Sequence, residues 1–177
     1  MSRNLSPVFY DCEASSLEGF VIEIGWAFVS PDGETLVSAA HLVRPALNWN
    51  LIDAWDENAE ALHQISRENL LKNGLPVWEV AAIMNRDLHG RELFSDSPKD
   101  EIWLGQIFEE AGIDPSFIVR RTDANVLLEQ TVLNRNFGLA RYGRAKVQTE
   151  KMRCHRAEAD SLVWAHLWKR VTTSVRE

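Results

Sequence analysis

The first 43 residues constrain the fold most. Residues 7–13, 20–29 and 35–43 are three successive strand-like runs, and Pro31-Asp32-Gly33 forms a turn between the second and third. Apolar, β-branched and aromatic residues dominate the first two runs, and turn formers bound them. Runs this close together can pair only as an antiparallel meander. The first run, Val8-Phe9-Tyr10, ends in Asp11-Cys12-Glu13. Side chains at i and i+2 of a strand share a face, so Asp11 and Glu13 can reach one point in space.

After Pro45 the periodicity becomes helical. The spacing predicts a helix through Trp55, Ala59, Leu62 and Ile65, continuing over Ser66-Arg67-Glu68-Asn69-Leu70-Leu71, with Gly74 as its stop. Pro76 opens a further helix that carries Val80, Ala81, Met84 and Leu88 before Gly90. A strand near Leu93 and Phe94, a helix from about Pro98 to Ala111 and a strand near Phe117-Ile118-Val119 follow. Helices near 123–137 and 155–172 complete the chain. A meander followed by alternating helices and strands predicts an α/β fold whose mixed sheet joins the meander to parallel strands, with helices on its faces.

At 177 residues with 45% apolar content, the expectation is one domain over 1–177. Neither a membrane-length apolar run nor an N-terminal hydrophobic signal is present, so the expected location is cytoplasmic, away from membranes. Cys12 and Cys154 are too few for a disulfide framework or a zinc site, and both are expected as small buried thiols. Of the seven tryptophans, most are expected in the core, with Trp49 and Trp55 the candidates for stacking on bases.

Two more segments carry acids. In Ser95-Asp96-Ser97-Pro98-Lys99-Asp100 the last residue falls in a helix's first turn, where it could equally close a capping box with Ser97. In His155-Arg156-Ala157-Glu158-Ala159-Asp160 the histidine and the acid are five residues apart at the entry to the last helix, near enough to approach a common point. Clustered carboxylates repel, and divalent cations relieve that repulsion. Oxygen ligands with at most one histidine suit Mg²⁺ or Mn²⁺. Two such ions about 4 Å apart stabilise an in-line attack on phosphorus, and His155 is suited to accept a proton from the attacking water near neutral pH.

The chain's charge is −7, yet Arg141, Arg144, Lys146, Lys151, Arg153 and Arg156, against Glu150 alone, give residues 141–156 a net +5 and leave −12 for the rest. The segment shows little periodicity and is expected as a loop, either solvated or holding phosphates of an incoming strand.

Asp11-x-Glu13, the helix-opening Asp100 and His155-x4-Asp160 resemble the three motifs of the DEDDh branch of the DEDD 3'-to-5' exonucleases, a group that includes polymerase proofreading subunits and oligoribonucleases. Ile22-x-x-Gly25, Val43-Arg44-Pro45 and His63-Gln64-Ile65-Ser66 resemble the intervening pattern. The resemblance implies a ribonuclease H-like fold and 3'-to-5' removal of nucleoside 5'-monophosphates from single-stranded or short DNA or RNA with a free 3' end. It further implies two metals on Asp11, Glu13, Asp100 and Asp160, His155 as general base, and homodimers of the kind family members often form. Ala14 and Ser15 would meet the 3' end, Leu17 would wedge near the terminal bases, and Lys151, Arg153 and Arg156 lie in the basic approach. The chain departs from the pattern at Ala14-Ser15-Ser16, where Thr-Thr-Gly is common, at Gln64, at Lys99 in place of an aromatic, and at Asp96 in place of asparagine. Asp100 keeps the family's offset, and Asp96 is its competitor as a ligand. The alternative is a non-catalytic nucleic-acid-binding module of the same fold that acts with a larger enzyme.

Overall fold

The computed structural model describes residues 5–50 and 52–173. Its elements run β1 (Val8–Ala14), β2 (Val21–Val29), β3 (Leu36–Arg44), α1 (Glu57–His63), α2 (Arg67–Asn73), β4 (Leu75–Pro76), α3 (Val77–Asp87), β5 (Glu92–Phe94), α4 (Pro98–Ala111), β6 (Ile118–Val119), α5 (Ala124–Arg135), α6 (Leu139–Glu150) and α7 (Ala157–Thr173). The expected meander is present as β1, β2 and β3, paired antiparallel, and the sheet order is β4-β3-β2-β1-β5-β6. β5 joins β1, β6 joins β5 and β4 joins β3, all in parallel.

The pleat of β1 divides the core. Val8, Tyr10 and Cys12 pack with Val80, Met84, Leu104 and Ile107 of α3 and α4. Phe9 faces the other way, into a cluster with Leu128, Tyr142, Trp164 and Leu167 of α5, α6 and α7. Period-2 alternation therefore sends Asp11 and Glu13 to the side of α7. Each layer buries many large apolar side chains, at about 1.5–3 kcal/mol for each one fully removed from water. Both faces of the sheet are covered, which explains why β2 is buried along its whole length.

Four expectations change. The basic segment is a helix over most of its length, because Tyr142, Ala145 and Thr149 form a buried stripe at helical spacing that the interleaved charges obscure. Residues 47–48 and 52–54 form turns, and α1 starts only at Glu57, where the Asp56 side chain accepts from the Asn58 amide at 2.8 Å. Pro76 closes the short, unanticipated strand β4, and α3 begins at Val77. The last helix begins at Ala157 rather than at His155, whose φ of 54° lies in the left-handed region. Among the described residues no helix is long and apolar enough to cross a membrane.

Candidate metal centre

Register brings the acids together. Phe9 pairs with Phe94 across the parallel β1 and β5, so two residues further along each chain Asp11, still within β1, and Asp96, just past the end of β5, come side by side. The β1–β2 register shifts between Glu13 and Ala14, which turns the strand end locally beside these two acids. α4 then starts at Pro98, with Ser97 as N-cap accepting from the Lys99 amide at 3.2 Å, and Asp100 lies in its first turn. Asp160 occupies the first turn of α7, where its Oδ1 accepts from the Cys154 amide at 3.0 Å.

Asp100 does not close a capping box. Its Oδ2 lies 2.7 Å from the Ser95 hydroxyl, and the amide of Ser97, which a reciprocal cap would need, donates to Ser95 Oγ instead at 2.9 Å. The acid is thereby free of its helix and directed at the other carboxylates. One oxygen from each of Asp11, Glu13 and Asp160 lies within 4.8 Å of the other two, and the same holds for Asp11, Asp96 and Asp100. Asp11 belongs to both trios.

Three of these acids are held away from water, and Asp11 and Asp96 are half-buried. Asp100 is 2%, Asp160 4% and Glu13 9% exposed. Burial, followed by the charges of Asp100, Glu13 and Asp160, pushes the Asp11 carboxyl well above the usual carboxylate range. Burial first, then Asp160, Glu23 and Asp100, raises Glu13 to about 8, while Asp100 rises to about 7, chiefly through burial. An all-oxygen set with frustrated charge fits a hard divalent cation, and the sharing of Asp11 offers room for two such ions close together.

The remaining expected site residues divide into two groups. Leu17, 66% exposed, stands free on the β1–β2 turn, and Lys151 is exposed just past α6. His155 is exposed too, and among the described residues its side chain has no hydrogen-bond or ion-pair partner. Ala14 and Ser15 are buried. The Ser15 hydroxyl is already engaged, donating to the Ala54 carbonyl at 2.8 Å and accepting from the Phe20 amide at 3.0 Å, which ties the β1–β2 turn to residues 54–56.

Two of the cations expected to receive phosphates are paired within the protein. Arg153 forms an ion pair with Asp96, and Arg156 grips Glu23, with Nε 3.0 Å from Oε2. The acid at position 96 is thus matched by an arginine from the loop before α7. Lys99, which stands in the place of an aromatic, reaches Glu18 at 2.5 Å. Cys12 is buried as expected, whereas Cys154 is exposed. Trp49 stacks on Phe20, and Trp55 is edge-on to His63 beneath Arg67, so both rings have protein partners. Reading the sequence alone overlooks Ser95 and Glu23. The signal for Glu23 was one acid inside the otherwise apolar run Phe20–Val29.

Neither a protein-family model nor a curated protein matches this chain. Solved structures do. Escherichia coli exonuclease I in complex with a dA16 oligonucleotide superposes with a TM-score of 0.69 at 14% identity, over 96% of this chain and 41% of that one. A moderately thermophilic exonuclease I from Methylocaldum szegediense gives 0.67 at 14% identity, over 94% and 40%. Exonuclease X in complex with 5' overhanging duplex DNA gives 0.51 at 18% identity, over 93% and 89%. The fold is the ribonuclease H-like mixed α/β architecture that these exonucleases share, and the chain spans about two fifths of the exonuclease I chains.

Proposed function

We propose that this protein is a divalent-metal-dependent 3'-to-5' exonuclease that shortens single-stranded or short DNA or RNA and releases nucleoside 5'-monophosphates. One observation carries the reading: Asp11, itself half-buried, joins two carboxylate trios whose members Glu13, Asp100 and Asp160 are buried. A solvated acidic surface would not raise its own carboxyl pKa values by desolvation. Asp11, Glu13 and Asp160 would hold one Mg²⁺ or Mn²⁺, and Asp11 with Asp100 the other, Asp96 being shared with Arg153. Bound there, two ions supply Lewis-acid stabilisation of the attacking and leaving oxygens.

The protein's own groups do the rest. His155 stands on the turn before α7, exposed and unpartnered among the described residues, and it accepts the proton of the attacking water. Leu17 presents apolar surface to the terminal bases, and Lys151 meets a phosphate further along the strand. The fold shared with exonucleases crystallised on DNA supports a nucleic-acid substrate.

The test is incubation of 5'-labelled DNA and RNA oligonucleotides with Mn²⁺, Mg²⁺ or chelator. A ladder that shortens from the 3' end with either ion, and none with chelator, is the expected result. Binding without shortening under every metal condition would leave a non-catalytic binding module.

A further inference from the structure

The carboxylate of Glu23 is buried yet lies outside both acid trios. It is directly opposite Glu13 in the β1–β2 register, on the same face of the sheet. Its oxygens are fully engaged: Arg156 Nη2 lies 2.5 Å from Oε1, Arg156 Nε lies 3.2 Å and 3.0 Å from the two oxygens, and the Ala157 amide donates to Oε2 at 2.9 Å. Ala157 is the first residue of α7, and the residue before it, Arg156, has no acceptor to cap the helix. Glu23 caps it from the neighbouring strand, with its charge at the positive end of the helix dipole.

A second contact closes the joint. A Cβ at Gly25 would lie 2.3 Å from the Ala157 carbonyl carbon and 2.4 Å from the Glu158 amide nitrogen, so only glycine lets α7 begin this close to β2. The first turn docked in this way carries Asp160, and His155, in the left-handed conformation, stands two residues before the helix begins.

We infer that Glu23 and Arg156 form a positioning pair that sets where Asp160 and the His155 turn stand relative to Asp11 and Glu13. Arg156 is accordingly a support of the metal centre, not a phosphate ligand. This inference rests on the proposed metal-dependent reading of the site.

The test is Mn²⁺ binding to the purified protein, followed by calorimetric titration for wild type, Arg156→Gln and Arg156→Lys, with folding checked by circular dichroism. The two explanations of Arg156 predict opposite signs. If the guanidinium acts only as a nearby positive charge, deleting it strengthens cation binding. If it positions Asp160, deleting it weakens Mn²⁺ binding by about 10–100-fold, the range typical for residues that orient metal ligands. Arg156→Lys keeps the charge but loses the two-pronged grip, and it restores only part of the affinity. Should Arg156→Gln fail to fold, Glu23→Gln, which retains an acceptor for the Ala157 amide, takes its place and is expected to weaken Mn²⁺ binding. A folded variant that binds Mn²⁺ as tightly as wild type, or more tightly, overturns the inference. Wild type that binds no Mn²⁺ overturns the site reading itself, and the inference with it.

Discussion

Without metal, this protein should lose stability as pH rises. Glu13 is 9% exposed, and its carboxyl is raised from an ordinary 4.5 to about 8, by burial first and by Asp160, Glu23 and Asp100 next. Its folded pKa lies above its unfolded one, so the native state binds more protons than the unfolded chain between those values. The contribution is intact below about pH 4.5 and is lost as pH climbs toward 8. A tenfold change in proton affinity corresponds to about 1.4 kcal/mol, which puts the full displacement at about 5 kcal/mol. Neighbouring acids share protons, and less than half of that, about 2 kcal/mol, is the expected loss for the metal-free protein. For a chain of this size it lowers Tm by about 4–8 °C. The assay is thermal unfolding in chelator at about pH 5.5 and about pH 8, for wild type and Glu13→Gln, repeated with Mn²⁺. The glutamine cannot exchange the proton, so its pH slope is shallower. Mn²⁺ offsets the repulsion and raises Tm more at the higher pH. A metal-free wild type that grows more stable toward the higher pH, or a Glu13→Gln slope equal to it, would refute the reasoning.

Three further outcomes follow from the same geometry. Asp100→Asn removes an acid from the second trio and weakens its partnership with Ser95, lowering turnover by about 100-fold, whereas Asp96→Asn, whose carboxylate is shared with Arg153, costs less than about tenfold; single-turnover rates that fall equally would contradict this division. Gly25→Ala places a methyl group against the α7 backbone and destabilises the protein by about 3 kcal/mol in denaturant unfolding, and an unchanged midpoint would deny the close approach. Lys151→Ala should reduce the slope of log affinity against log salt for a single strand by about 0.7, and an equal slope would mean that Lys151 meets no phosphate.

The legible parts of this chain are those whose physics is local. The meander could be read because β1 opens on an apolar run, β2 is apolar but for Glu23, and Asp32 closes a tight turn, accepting from the amides of Glu34 and Thr35. That Asp11 and Glu13 share a face followed from the period of a strand alone. Asp100 remained divided between cap and ligand, because only the position of Ser95 decides which way its carboxylate turns. α6 was hidden by composition: its buried stripe includes a threonine and an alanine, and its surface is dense in charge. A sequence displays charge without its partners, so in it Arg153 and Arg156 stand as cations awaiting phosphate. Their partners, Asp96 and Glu23, lie 57 and 133 residues away. Glu23 shows the general difficulty, since a lone acid in an apolar strand signals a buried partner without naming it.

The most direct test of the account exploits the sharing of Asp11 between the two trios. Wild type and Asp11→Asn, matched for folding, are given Mn²⁺ and a single-stranded oligonucleotide carrying label at the 3' nucleotide, and the first product is identified. Wild type is expected to release labelled nucleoside 5'-monophosphate as its first product, and Asp11→Asn none. Equal release by Asp11→Asn, or a first product cut from within the strand, would contradict that expectation.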